Sequence, residues 1–185
     1  SDSLPIFKHF KALVEKYFNL PLRTLFSDNG GGYIKLLLFL QEHGINHLTS
    51  PPHTPEHTGY AERRHRHIVE TGLALLTHAQ IPTTFWLQAF ATTVYLINRI
   101  RTPTLRNDSP YSRLFKTTPN YSQLKYFGCL CYPWLKPYTS HKLDPKSIPC
   151  VCLDYSPSRG SYRCLAPDTN TIYTSRHVIF EENQF

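Results

Sequence analysis

Two carboxylates and a run of cations stand out by their settings. Asp28 lies in Ser27-Asp28-Asn29-Gly30-Gly31-Gly32-Tyr33, where a short strand pattern gives out. Glu62 lies in Thr58-Gly59-Tyr60-Ala61-Glu62-Arg63-Arg64-His65-Arg66-His67, where a long helical pattern begins. A helix and a second strand between them can bring these two carboxylates together. Phosphodiester cleavage and strand transfer use Mg²⁺ or Mn²⁺ held by carboxylates, usually as a pair of ions about 4 Å apart. Mg²⁺ takes few protein carboxylates and keeps several waters. One Asp at a strand end and one Glu on a nearby helix suit that ligation. Each also has a plainer reading in isolation. An Asp before Asn-Gly serves a turn, and a Glu in a helix's first turn favours the dipole.

The elements that would position these groups follow from periodicity. Ile6, Phe7, Phe10, Leu13, Val14, Tyr17 and Phe18 recur at helical spacing and predict a helix over 4–18, capped by Asp2 or Ser3. Leu22–Phe26 reads as a strand ending at Asp28. Gly30-Gly31-Gly32 reads as a permissive bend. A leucine-rich helix over 34–43, closed by Gly44 as its C′ residue, and a strand over 45–49 follow. Three prolines exclude regular structure from Ser50 to Thr58. The next helix runs from Gly59 or Ala61 to Ala79, with charged first turns and then an apolar stripe of Ile68, Val69, Gly72, Leu75, Leu76 and Ala79. A helix over 84–100 follows, with Trp86, Ala89, Phe90, Thr93, Ile97 and Ile100 on one face, and then a short helix over 110–115. Beyond Pro119 the pattern changes to strands: an alternation over 124–132, then 150–155, 161–165, 171–174 and 177–180, with Asp168-Thr169-Asn170 as a hairpin turn. Short strands at this spacing predict a small SH3-like β-barrel.

Composition bounds the partners. The chain has 185 residues, 41% of them hydrophobic, which is enough for a real core. There is no apolar run long enough for a transmembrane helix and no signal-peptide pattern. The formal charge is +7, with ten histidines besides, as in proteins that meet nucleic acid or another polyanion. Five cysteines, an odd count, argue for reduced thiols. The pairs Cys129-x-Cys131 and Cys150-x-Cys152 raise zinc as an alternative to core packing. Residues two apart in a strand share a face, and zinc sites usually space cysteines as C-x₂₋₄-C, so packing is the expectation. The sequence contains no methionine, which suggests a chain cut from something longer.

Taken together, Ser27-Asp28-Asn29-Gly30-Gly31, His43-Gly44-Ile45 and the stretch from Thr54 to Arg63 closely resemble the integrases of copia-type LTR retrotransposons, the plant members above all. The resemblance continues through Phe85-Trp86, Tyr95-Leu96-Ile97-Asn98-Arg99, Ser109-Pro110, Phe127-Gly128-Cys129, Lys142 to Ser147, Cys150 to Leu153 and Ser175-Arg176-His177-Val178. It covers essentially the whole chain. It implies an α/β ribonuclease-H-like integrase core over 1–119, truncated at its N-terminus and mostly helical as present, followed by a small SH3-like β-barrel over 120–185. By motif match, Asp28 and Glu62 are the second and third members of an Asp, Asp, Glu catalytic set and the ligands of Mg²⁺ or Mn²⁺. Arg63, Arg64 and Arg66 would face DNA phosphates, both element ends and target DNA. Other integrase protomers are implied as partners, with no membrane. The implied location is the nucleus, reached from a cytoplasmic particle, and not outside the cell.

The sequence departs from the family pattern. It holds no counterpart of the leading Asp, since Asp2 sits at a helix start and reads as a cap. Gly32 stands where relatives commonly carry Glu, and the helix after it is shorter than theirs. The zinc-binding His/His/Cys/Cys module is absent. Two carboxylates hold a metal pair weakly, and the strand at Leu22–Phe26 is expected to leave an open apolar edge. The chain alone is therefore expected to lack strand-transfer activity. The alternatives are a non-catalytic nucleic-acid-binding remnant or repurposed protein, and a scaffold that binds protein through the barrel.

Overall fold

The apolar period at the start of the chain builds α1 (Ser3–Phe18). In the computed structural model, residues 3–27, 31–49, 59–156 and 160–184 are described, with 31–35 and 60 by main chain only. Asp2, read as a cap, lies outside them. The chain divides into two compact units, Ser1–His65 and Arg66–Phe185.

In the first unit, β1 (Thr24–Ser27) pairs in parallel with β2 (Asn46–Thr49), Thr24 opposite Asn46 and Ser27 opposite Thr49. The crossover between them is α2 (Gly31–Glu42). The glycine triplet is therefore not only a bend, because α2 begins inside it. Burial of Leu36, Leu40 and Ile45 against Leu4, Phe7, Leu22 and Leu25 outweighs the weak helix propensity of two terminal glycines. The end of α2 follows the sequence: Gly44 takes φ +63, its N–H donates to Gln41 O, and Ile45 N–H donates to Leu40 O. That is the paired bonding of a Schellman cap. Glu15 ties α1 to the turn beyond it. It accepts from Leu22 N–H at 2.8 Å and pairs with Lys11 at 2.6 Å, and these contacts hold its carboxyl below the ordinary range. No other strand borders β1 among the described residues, and Phe26 is 66% exposed, so the apolar edge expected there is present.

Helix α3 (Gly59–His78) is exposed from Ala61 to His67 and buries Gly72, Leu76 and then Ala79 beyond its end. It closes with the same cap geometry on a non-glycine residue, Gln80 at φ 53, as Ile81 N–H donates to Leu76 O. Helix α4 (Trp86–Arg99) starts after a turn of 3₁₀ helix. Its buried residues are Ala89, Thr92 and Thr93, whereas Trp86 is 53% and Ile100 51% exposed. The apolar face expected over 84–100 is thus covered only in its middle. Helix α5 (Pro110–Phe115) is capped by Ser109, whose Oγ accepts from Ser112 N–H.

Five strands form an antiparallel sheet in the order β6-β5-β4-β3-β7: β3 (Leu130–Pro133), β4 (Cys150–Tyr155), β5 (Tyr162–Ala166), β6 (Thr171–Ser175) and β7 (Val178–Glu181). The alternation from Leu124 does not make a strand until Leu130. Before it, 121–123 form a 3₁₀ turn and Gly128 takes φ +84. The β6 edge is covered by Tyr138, whose hydroxyl donates to Thr174 O and accepts from Thr174 N–H. Strand β4 carries a bulge. Cys152 faces Cys164 and Asp154 faces Arg163, so Leu153 has no partner in the ladder. Its carbonyl instead accepts from the buried Thr92 hydroxyl of α4 at 3.1 Å. Tyr95 of α4 stacks on Tyr155 of β4 with centroids 3.9 Å apart. The second unit therefore joins helices and barrel across the 119/120 position. Among the described residues no helix is long and apolar enough to cross a membrane.

Among the described glycines of this unit the closest approach is at Gly128. A Cβ there would lie 2.2 Å from Ala79 Cβ, on backbone that L side chains rarely adopt. Gly128→Ala is expected to cost about 2–5 kcal/mol, overpacking and left-handed strain together. Adding Ala79→Gly should return about 1–3 kcal/mol of it, the overpacking share alone. Urea unfolding of the two single variants and the double variant checks this. Simple additivity of the single effects would show that the two positions do not press on each other.

Candidate functional site

The two parallel strands of the first unit end on the same side, as parallel pairing requires. Ligands of open α/β sheets gather at the carboxyl ends of such strands. There Ser27 Oγ and His47 Nε2 share a hydrogen bond of 2.7 Å, a diagonal tie from the end of β1 to the β2 residue opposite Leu25. Asp28 follows Ser27 in the chain and lies outside the described residues, as do Asn29, Gly30 and the segment 50–58.

Glu62 is found in the first turn of α3, as its sequence setting predicts. It is exposed, and so are Arg63, Arg64 and Arg66 over the next turn. Arg63 folds back along the helix. Its Nη1 lies 3.2 Å from where a Cβ at position 59 would stand, so Gly59 leaves room for the guanidinium. A helix start carries free N–H groups and a positive dipole end. Three exposed arginines follow Glu62 on these turns, so positive charge outweighs negative there. Among the described residues no group of three or more His, Cys, Asp or Glu side chains could hold a metal ion. The described residues thus supply one carboxylate of the expected pair and do not by themselves make a divalent site.

The five cysteines sit in the barrel core. Cys129, Cys131, Cys150, Cys152 and Cys164 are all buried and free, packed with Tyr162 and Ala166. Cys131 and Cys150 face each other across β3 and β4, and Cys152 and Cys164 across β4 and β5. The thiols of Cys152 and Cys129 adjoin, as do those of Cys131 and Cys164; that contact together with burial pushes Cys152 and Cys131 up, while Cys129, beside Cys152, is shifted down. Burial pushes Cys150 up to about 12. Thiols so placed act as small hydrophobes.

Two arrangements escaped the sequence reading. Arg99 lies over the ring of Tyr95 at 3.4 Å and over that of Tyr111 at 4.8 Å, so Tyr95 is sandwiched between a guanidinium and Tyr155. The motif Tyr95-Leu96-Ile97-Asn98-Arg99 thereby has a packing role. Asp154, 2% exposed, is paired through both carboxylate oxygens with Arg163. Burial pushes its carboxyl up, and the guanidinium pulls it partly back. The one signal in sequence was an acid inside the otherwise apolar run Cys150-Val151-Cys152-Leu153-Asp154-Tyr155.

Comparison with known proteins gives this geometry a class. Residues 129–185 match the family of the retroviral polymerase SH3-like domain, and this span holds the five-stranded antiparallel sheet described above. Across 95% of its length the chain is 57% identical to the retrovirus-related Pol polyprotein from transposon RE1 of Arabidopsis thaliana, and 55% identical to that from transposon RE2. It is 38% identical, over 97% of its length, to the corresponding polyprotein from transposon TNT 1-94 of Nicotiana tabacum. The chain belongs to the retrovirus-related Pol polyprotein family of copia-type plant transposons. It spans 12% to 14% of the length of these curated relatives. Among solved structures, it is similar to a chain of a simian T-cell lymphotropic virus intasome in complex with PP2A regulatory subunit B56 gamma. The TM-score is 0.44 at 15% identity, covering 89% of this chain and 58% of that one. It is also similar to the catalytic core domain of BIV integrase, with TM-score 0.40 at 21% identity, covering 56% of this chain and 66% of that one. Family membership rests on the sequence identity of the polyproteins.

The placement of the thiols sets a clear expectation for thiol chemistry. The native chain should release no thionitrobenzoate from Ellman's reagent while the urea-unfolded chain releases five equivalents, one for each cysteine. Prompt reaction of any thiol in the native chain would contradict the buried packing.

Proposed function

We propose that this chain is the DNA-contacting part of a retrotransposon integrase. It binds element ends and target DNA through Arg63, Arg64 and Arg66. In the longer protein it supplies Asp28 and Glu62 to metal-dependent polynucleotidyl transfer. One observation carries the reading: the first turns of α3 present Glu62 and all three arginines to solvent, at the end of the helix that attracts anions. The identity to Pol polyproteins over nearly the whole chain supports it.

The role of each group follows from its chemistry. The guanidiniums hold phosphate oxygens, and a guanidinium can take two at once. These contacts position the backbone and carry no sequence information. Asp28 and Glu62, as carboxylates, would hold Mg²⁺ or Mn²⁺, which activates the attacking oxygen and stabilises the leaving one. Two carboxylates bind a metal pair weakly, so the chain by itself binds DNA without joining ends. Residues 1–119 act as the ribonuclease-H-like core portion and 120–185 as the barrel. The integrase works with further protomers, in the nucleus.

Changing Arg63, Arg64 and Arg66 together to Ala tests the contact. Alanine suits an exposed helix, so the fold should hold. Fluorescence anisotropy with a labelled duplex should show weaker binding, and the slope of log affinity against log salt should fall by about 2–3. An unchanged affinity and slope would remove the reading's main support. Strand-transfer assays in Mg²⁺ and in Mn²⁺ should give no joined product with the purified chain, and a joined product would show that two carboxylates suffice.

A further inference from the structure

The second unit holds a basic cleft distinct from the α3 arginines. It has a volume of about 600 Å³ and lies where the connection from α4 to α5 meets the segment beyond α5. Arg101, Arg106, Arg113 and Lys116 line it, against the single acid Asp108. Asp108 is already engaged, pairing with Arg113 at 3.3 Å. Its Oδ1 also accepts from Ser109 N–H at 2.8 Å. Arg101, Arg106 and Lys116 are exposed and have no acidic partner among the described residues. Tyr121 presents a ring at the same cleft.

The backbone under two of these cations is unusual. Arg106 and Lys116 both take φ 58, the left-handed region, at the ends of a 3₁₀ turn and of α5. Helix ends of this kind favour glycine or asparagine, since a Cβ there meets the following carbonyl. Here both positions carry a long cation instead, and both side chains line the same cleft.

We propose that this cleft is a second nucleic-acid site, taking the phosphate backbone of a DNA strand between Arg101, Arg106 and Lys116. Tyr121 offers an aromatic face to a base at its edge. The cleft suits a strand rather than a lone anion. Three cations with no acidic partner among the described residues line it, and the Thr117 and Thr118 hydroxyls beside them can donate to phosphate oxygens. The inference rests on the reading that this chain handles DNA, and adds a surface on a different unit from Glu62 and Arg63.

The double variant Arg106→Gly/Lys116→Gly tests it without threatening the fold. Glycine removes each cation while suiting the left-handed backbone, so the unfolding midpoint should stay level or rise. Anisotropy titrations of the full chain with labelled single-stranded and duplex DNA, over a range of salt, should show weaker binding. The log–log salt slope should fall by about 2, one phosphate contact per cation removed. The variant Arg101→Gln, in addition, should lower the slope by about 1 more. If the glycine variant keeps its midpoint and also keeps wild-type affinity and slope for both DNA forms, the cleft is not a DNA site. Loss of binding on changing Arg63, Arg64 and Arg66, with no loss on changing the cleft, overturns this inference and leaves the α3 contact standing. The reverse pattern removes the α3 contact and keeps the cleft.

Discussion

The bulge at Leu153 is the constraint on which the second unit depends. One extra residue in β4 leaves the Leu153 carbonyl outside the ladder, in a place water does not reach. A buried carbonyl without a donor costs about 1–3 kcal/mol. Thr92 meets that need, and to do so α4 must lie against the strand with its buried Thr face inward. The same bulge sets the register beyond it, so that Asp154 stands opposite Arg163 and Tyr155 opposite Tyr162. Tyr155 then has its ring under Tyr95, while its hydroxyl exchanges hydrogen bonds with both main-chain groups of Lys125. A helix, an ion pair and the entry to the barrel are thus located by one inserted residue.

This explains which parts of the fold could be read from sequence. Elements whose burial is periodic were legible: α3 changes from exposed to buried along its length where its charges give way to Gly72, Leu76 and Ala79. Gly44 announced the end of α2, since a helix end that needs positive φ usually names its residue. The limits lay where one residue's neighbours come from another part of the chain. Alternation from Leu124 to Tyr132 reads as a strand, yet Gly128 turns the chain because its N–H is taken by Cys152 O. The face predicted for α4 is too long, because full burial is limited to Ala89, packed with Leu76, Ala79 and Phe127, and to Thr92 and Thr93. Nothing local in Thr92 says that it will be needed by a carbonyl of β4.

The candidate site was legible in a different sense. Glu62 and the arginines beside it could be placed by helix-start chemistry alone, and their exposure on the first turns of α3 agrees with that placement. Asp28 could be placed only as far as the strand before it, and β1 does end at Ser27. The cations of the cleft are scattered in sequence from Arg101 to Lys116, with no run or motif to join them. They become a group only when Arg106 and Lys116 turn into one cleft.

Left-handed backbone shows how the chain divides packing from surface work. Gly128 needs glycine twice over, for its φ of +84 and for the 2.2 Å approach of Ala79. Gly44 needs it only for φ, as no atom stands within 4 Å of its missing Cβ. The other positive-φ positions carry side chains: Asn19, Gln80, Arg106, Asn107, Lys116 and Asn170. Asparagine tolerates this backbone through local hydrogen bonding, and Gln80 occupies it where α3 must stop for Ile81 to pack. Lys116 and Arg106 likewise stand at stops, closing α5 on Ser112 O and a 3₁₀ turn on Pro103 O, but there the residue is a long cation with no core contact. A cation at a helix's C-terminal end gains from the dipole, by about 0.3–1 kcal/mol when exposed. That gain falls short of the roughly 1–2 kcal/mol of left-handed strain, and the hydrogen bonds by which the Arg106 and Lys116 N–H groups close their turns offset part of the rest.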